Sequence, residues 1–117
     1  MISIPIPGGI PLKLHHLVLD YNGTIAEDGE PIVEAVDRIV TIADLLDIHV
    51  VTADTHGTVA GKIDKLPVKL FIIGDQDQDL AKKTFVEDLG SDITAAIGNG
   101  RNDSLMLRQA ALGIGVI

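Results

Sequence analysis

Cysteine is absent from the 117-residue chain, and so is tryptophan. Without thiols there is neither a disulfide framework nor a thiolate metal site. Aromatic residues make up only 3%, so the 46% hydrophobic fraction is carried almost entirely by Ile, Val, Leu and Ala. Such a composition suits aliphatic strands covered by helices and argues against disorder. Basic residues are scarce as well: 9 Lys and Arg face 17 Asp and Glu, a formal charge of −8. Repulsion from phosphate backbones argues against nucleic acid or anionic membrane as partners, and a small anionic substrate needs local help from a metal ion or a placed lysine. No apolar run approaches the roughly 18 residues of a membrane helix. The opening "MISIPIPGGIPLKL" is broken by Pro and Gly where a signal peptide is continuous, so a cytoplasmic protein is expected. The length supports one domain, residues 1–117, with a single core.

What is present alternates between short aliphatic runs and amphipathic stretches. "HLVLD" (16–20), "DIHVVTA" (47–53), "VKLFII" (68–73), "DITAAIG" (92–98) and "LGIGVI" (112–117) read as five strands, several of them apolar on both faces. Between them a helix is expected to start at Pro31, with Ile32, Val36, Ile39, Val40 and Ala43 on its inner face. Further helices are expected over Thr55–Lys65, Asp79–Leu89 and Asn102–Ala111, closed by Pro67, Gly90 and Gly113. Strand, helix, strand throughout predicts right-handed crossovers and an α/β fold, a doubly wound, Rossmann-like five-stranded parallel sheet with helices on both faces. Alternation around Pro-Gly-Gly predicts an N-terminal hairpin or edge strand. Because the chain stops on "GVI", at its last strand, residues beyond 117 are expected.

Open α/β sheets bind ligands beyond the carboxyl ends of their strands. There the first strand delivers Asp20 and "YNGT", the second Thr52 and Asp54, the third Gly74 and Asp75, and the fourth "GNGRND" with Asn99, Asn102 and Asp103. Lys82 and Lys83 begin the helix before that fourth strand. Carboxylates, a hydroxyl, an ammonium and glycine turns on one rim point to a divalent cation and a phosphoryl group.

Each residue has a chemical reason. A carboxylate at a strand end, ionised at neutral pH, can attack phosphorus, which suits Asp20. A hard Mg²⁺ needs oxygen ligands: an oxygen of Asp20, the backbone carbonyl of Asn22, and Asp103, with waters completing the octahedron. Gly23 permits a sharp turn and is expected to keep its N–H near the incoming oxyanion. Thr52 can donate its hydroxyl to the phosphate, and a lysine stabilises both Asp20 and the transferring group. Lys82 is favoured over Lys83: it shares a face with Val86 and Leu89, whereas Lys83 falls beside Glu87.

These residues, in this order, resemble the haloacid dehalogenase-like phosphohydrolase superfamily. "DYNGT" matches its nucleophile motif, "VVTADT" its threonine motif, Lys82 or Lys83 its lysine and "GNGRND" its metal-binding motif, together spanning residues 16–117. The tail "GNGRNDSLMLRQAALGIGVI" looks most like the phosphorylation domain of P-type ATPases, here as a soluble branch. The resemblance implies Asp20, Asn22, Thr52 and Lys82 as the catalytic set, Gly23, Thr24, Ala53 and Asn102 around the substrate, and Mg²⁺ on Asp20, Asn22, Asp103 and Asn99. It also implies a short helical turn and flap hairpin after the first strand, with Asp28-Gly29 as the turn. Only 31 residues separate Asp20 from Thr52, and 29 separate Thr52 from Lys82, so no cap domain fits. An open rim suggests a macromolecular phosphorylated substrate, or a homo-oligomer whose neighbouring subunit serves as lid.

Two positions depart from the family pattern. Phosphatases of the superfamily usually carry an acid where this chain has Asn22, and an amide neither gives nor takes a proton near neutral pH. Asn99 stands where the metal motif commonly has an acid. A slow phosphohydrolase or phosphotransferase with a lingering aspartyl phosphate is therefore expected; the alternative is a weak or inactive phosphate- and metal-binding module with an interaction role. A receiver domain is disfavoured because its phosphorylated Asp belongs on the third strand. Elsewhere "GDQDQD" (74–79) reads as a solvated turn in which Asp77 or Asp79 caps a helix. His15, His16, His49 and His56 show no metal spacing, with His56 the one placed to reach substrate.

Overall fold

The computed structural model describes residues 1–54 and 57–117. Strands β1 (Ile2–Ile4) and β2 (Leu12–Leu14) pair antiparallel as the expected hairpin. Strand β3 (His16–Asp20) is followed by one helical turn in which the amides of Thr24, Ile25 and Ala26 all bond the Tyr21 carbonyl. A small flap of β4 (Ala26–Glu27) and β5 (Glu30–Pro31) comes next, turning through Asp28 (φ 50°) and Gly29 (φ 84°). Left-handed conformations at two successive residues suit Asp-Gly and match the strand twist.

Helix α1 (Val33–Ile42) starts later than expected. Pro31 pairs with Ala26 in the flap instead of opening the helix, and Ile32 takes the extended N-cap position. The buried stripe contains Ile39 with Ala35, Ile42 and Ala43 against it; Val40, expected inside, is 53% exposed. The remaining elements are β6 (Asp47–Thr52), α2 (Val59–Ile63), β7 (Lys69–Ile72), α3 (Gln78–Leu89), β8 (Thr94–Gly98), α4 (Ser104–Gln109) and β9 (Leu112–Gly115). Expected residues 102 and 103 of the last helix belong to a tighter 3-10 turn, Arg101–Asp103. Thr55, the expected start of the second helix, and His56 lie outside the described residues. Asp77 takes the N-cap position of α3 in a left-handed conformation with no side-chain cap bond, and Asp79 bonds the adjacent Leu80 amide, so neither caps as expected.

The main sheet is wholly parallel in the order β7-β6-β3-β8-β9. Successive strand residues point to opposite faces, which splits the core. Leu17, Leu19, Ile48 and Val50 pack with residues of α1 and α2, whereas Val18, Val51 and Ala96 pack with Val86 of α3 and Met106 of α4. Helices thus cover both faces, and among the described residues no inserted domain interrupts the sheet. At the carboxyl edge the register sets Asp20 opposite Val51, one residue before Thr52. None of the described helices is long and apolar enough to cross a membrane.

Candidate active site

Asp20 ends the central strand and faces a cleft of about 660 Å³, which Asn22, Thr52, Ala53, Lys82 and Asn102 also line. Lys82 comes to it from the first turns of α3, on the face that also carries buried Val86, and is itself only 2% exposed. Its ammonium donates to Asp20 Oδ1 at 3.0 Å and to Asp103 Oδ1 at 2.7 Å. Lys83 instead lies 3.9 Å from Glu87 on the outer face. One buried cation therefore joins two carboxylates that the sequence separates by 83 positions.

Asp103 is fully buried, and its second oxygen accepts the amides of Asn99 and Gly100, both at 3.0 Å. This carboxylate anchors the loop after β8 and holds the lysine. Gly98 makes room for it, since a Cβ there would lie within 2.6 Å of Asp103 Oδ2. The sequence expectation put Asp103 directly on a cation; in the structure both of its oxygens already serve protein donors, because the loop amides of the "GNGRND" turn need an acceptor.

Burial pushes the Asp20 carboxyl above its ordinary value of 3.8; Lys82 opposes that rise and Asp103 adds to it. Its other oxygen, Oδ2, receives a long 3.4 Å contact from the Thr24 hydroxyl. Thr52 stands beside it with its hydroxyl 3.4 Å from the Asp54 amide. Asn102 reaches the cleft through a 3.0 Å bond from its amide to Gln78.

Two expected contributions sit differently. The Gly23 amide donates to the Ala26 carbonyl at 2.7 Å, so it holds the turn and is not free to meet an oxyanion. Gly23 does have the positive φ that a turn requires, +81°, and a Cβ there would overlap the Asn99 amide. Asn99 and Gly23 thus pack on each other and border a separate depression that reaches Glu27 and Asp28. The Asn22 side chain is also engaged: its Oδ1 accepts the Gly29 amide at 2.8 Å and ties down the flap. Sequence reading missed Tyr21, whose buried hydroxyl donates to the Gly29 carbonyl at 2.7 Å, and Lys62 of α2, which pairs with Glu30 of the flap across the cleft. Tyr21 lies inside "DYNGT", but the motif gives it no role of its own, and no motif marks Lys62; only the fold brings α2 against the flap.

The donor chemistry fits a hard divalent cation. Asp20 and Asn22 bring oxygen donors to one cleft, whereas Asn99 packs on Gly23 beside the separate depression that Asn22 also borders. Among the described residues no group of three or more His, Cys, Asp or Glu is placed to hold a metal.

No family model matches the chain, and no curated protein sequence matches it. Solved structures do. A protein assigned to the HAD (haloacid dehalogenase-like) family hydrolases from Streptomyces avermitilis MA-4680 superposes with a TM-score of 0.64 at 17% identity, covering 88% of this chain and 67% of its own. A protein assigned to HAD superfamily subfamily III A from Legionella pneumophila gives 0.70 at 19% identity, covering 89% and 65%. The cobalt-bound deoxy-D-mannose-octulosonate 8-phosphate phosphatase from Haemophilus influenzae gives 0.64 at 18%, covering 86% and 67%. The chain therefore spans about two thirds of the length of each, and its fold is that of the HAD hydrolase core.

Proposed function

We propose that the chain is a divalent-cation-dependent phosphohydrolase or phosphotransferase acting through an aspartyl phosphate on Asp20. The observation that carries this reading is the Asp20–Lys82–Asp103 bridge at the carboxyl end of the central strand. Support comes from the fold shared with HAD hydrolases and with a phosphatase in its cobalt-bound form. An Asp20 oxygen attacks phosphorus; a P–O bond forms as the bond to the leaving group breaks, and the leaving group takes the electron pair. Water then attacks the phosphorus, releasing phosphate and returning the carboxylate. Lys82 holds Asp20 for attack and faces the charge that builds on the phosphoryl oxygens. Asp20 and the Asn22 carbonyl, with Asn99 on the neighbouring loop, would hold a divalent cation such as Mg²⁺, which would supply further neutralisation of that charge.

Asn22 sets the rate. It can neither protonate a leaving alkoxide nor activate water, and general acid–base catalysis contributes about 10²–10⁴ in rate. Anhydrides, acyl phosphates and aryl phosphates, which leave without a proton, suffer least in the first step, and the phosphoenzyme persists in the second. That kinetic pattern matches the resemblance to the ATPase phosphorylation domain. A second reading, a binding module without turnover, is favoured by the use of Asn22 Oδ1 as a flap tie and of Asn99 as packing on Gly23.

Intact-mass analysis after incubation with Mg²⁺ and acetyl phosphate, p-nitrophenyl phosphate or ATP separates the two. One added phosphoryl group, absent from Asp20→Ala, is the expected result. No adduct and no turnover in a protein that still binds Mg²⁺ would establish the second reading.

A further inference from the structure

The geometry points to Lys62 as a second recognition cation, selecting substrates that carry another anionic group, such as a carboxylate, besides the phosphoryl group; this inference rests on the phosphoryl-transfer reading of the same cleft. Two lysines line that cleft among the described residues, and Lys82 is spent on Asp20 and Asp103. The other lining charges are acids, Asp28, Glu30 and Asp54. In a chain of net charge −8, an anion with no partner on this rim meets repulsion alone. Lys62 is the cationic group left to offset it.

Lys62 is one third exposed and pairs with Glu30, which is 71% exposed. Such an exposed pair is held weakly in high-dielectric solvent, so a ligand carboxylate can take the place of the Glu30 carboxylate at little cost. A neutral group cannot. The pair is also unnecessary for closing the flap, which Tyr21 and Asn22 already fasten at Gly29 by hydrogen bonds of 2.7 and 2.8 Å. Lys62, Glu30 and Asp54 line the same cleft as Asp20. Glu30 therefore serves as an internal competitor, screening Lys62 from ligands that bear one charge only.

Calorimetric titration in Mg²⁺ tests this with two probe pairs of different reach. One is 3-phosphoglycerate against glycerol 3-phosphate; the other is 6-phosphogluconate against glucose 6-phosphate. In at least one pair the wild type is expected to bind the carboxylate-bearing member roughly tenfold tighter, the scale of one charge-assisted contact. Lys62→Gln should bring that ratio to within about twofold of one, Lys62→Arg should retain most of it, and Glu30→Gln should raise it about threefold. A ratio near one in both pairs, failure of all four probes to bind, or a preference that survives Lys62→Gln overturns the inference. Binding is read without turnover, so a missing phosphoenzyme defeats the proposed function and leaves this result standing, and the converse also holds.

Discussion

Replacing Lys82 by methionine removes the ammonium that lies 3.0 Å from Asp20 and 2.7 Å from Asp103 while nearly keeping the volume of the stem. Asp103 is then a fully buried carboxylate with two amide donors and no counter-charge, and Asp20, 13% exposed, faces it across the gap. Breaking a buried ion pair from one side costs about 3–5 kcal/mol, a large part of the roughly 5–15 kcal/mol that holds a domain together. At a slope of about 1.5 kcal/mol per molar urea, a loss of 3 kcal/mol moves the unfolding midpoint down by about 2 M. The loss should depend on pH. Burial already raises the Asp20 carboxyl from its ordinary value, and without Lys82 it rises further. A folded-state pKa above the unfolded one means that the native state holds the extra proton, so the variant should regain stability as pH falls from 7.5 toward 5. Urea titrations at both pH values, on wild type, Lys82→Met, Asp103→Asn and the double variant, provide the measurement. The double variant is expected to be more stable than Lys82→Met alone, because the uncompensated charge is gone. A Lys82→Met midpoint within 0.3 M of wild type (about 0.5 kcal/mol), or a loss identical at both pH values, would refute the buried bridge as the centre of the site.

Asn22→Asp keeps an oxygen for the Gly29 amide and restores a proton carrier, so alkyl phosphate turnover should rise by about 10²-fold or more in a phosphate-release assay; an unchanged rate refutes the general-acid argument. Gly98→Ala drives a methyl into the Asp103 carboxylate and should lower stability by about 1–3 kcal/mol and abolish phosphoenzyme formation, read by melting and intact mass. Burial, with help from His16 and Lys69, holds the His49 imidazole below its ordinary value of 6.5. The unfolded chain therefore takes up the proton first, and stability should fall as pH drops from about 7 through 6.5 and below. His49→Gln, which keeps a partner for His16, should flatten the melting temperature between pH 7 and 5.5; an unaltered slope counts against it.

Legibility followed the range of the physics. Aliphatic runs on both faces and Gly-Pro punctuation expose β3, β6, β7, β8 and β9 because strand burial is a local period-two property, and doubly wound order follows from handedness rules. The start of α1 lies beyond Pro31 because proline suits both a helix start and an edge strand, and only the pairing of β4 with β5 chooses between them. Val40 was misassigned for a related reason: a stripe set by i and i+4 spacing can rotate by one residue until the sheet selects its inner edge.

The linear order of residues by itself determined which chemical groups reach the rim: Asp20 at a strand end, Thr52 one strand over, Lys82 on the packed face of its helix, and the "GNGRND" turn. Folding alone decided how those groups divide their bonds. Asp103 goes to loop amides and to Lys82, the Gly23 amide goes to Ala26, Asn22 goes to the flap, and Lys62 goes to Glu30. Hydrogen-bond donors and acceptors are satisfied by whatever lies within about 3 Å, and that distance is a property of three-dimensional neighbours, which sequence separation does not encode.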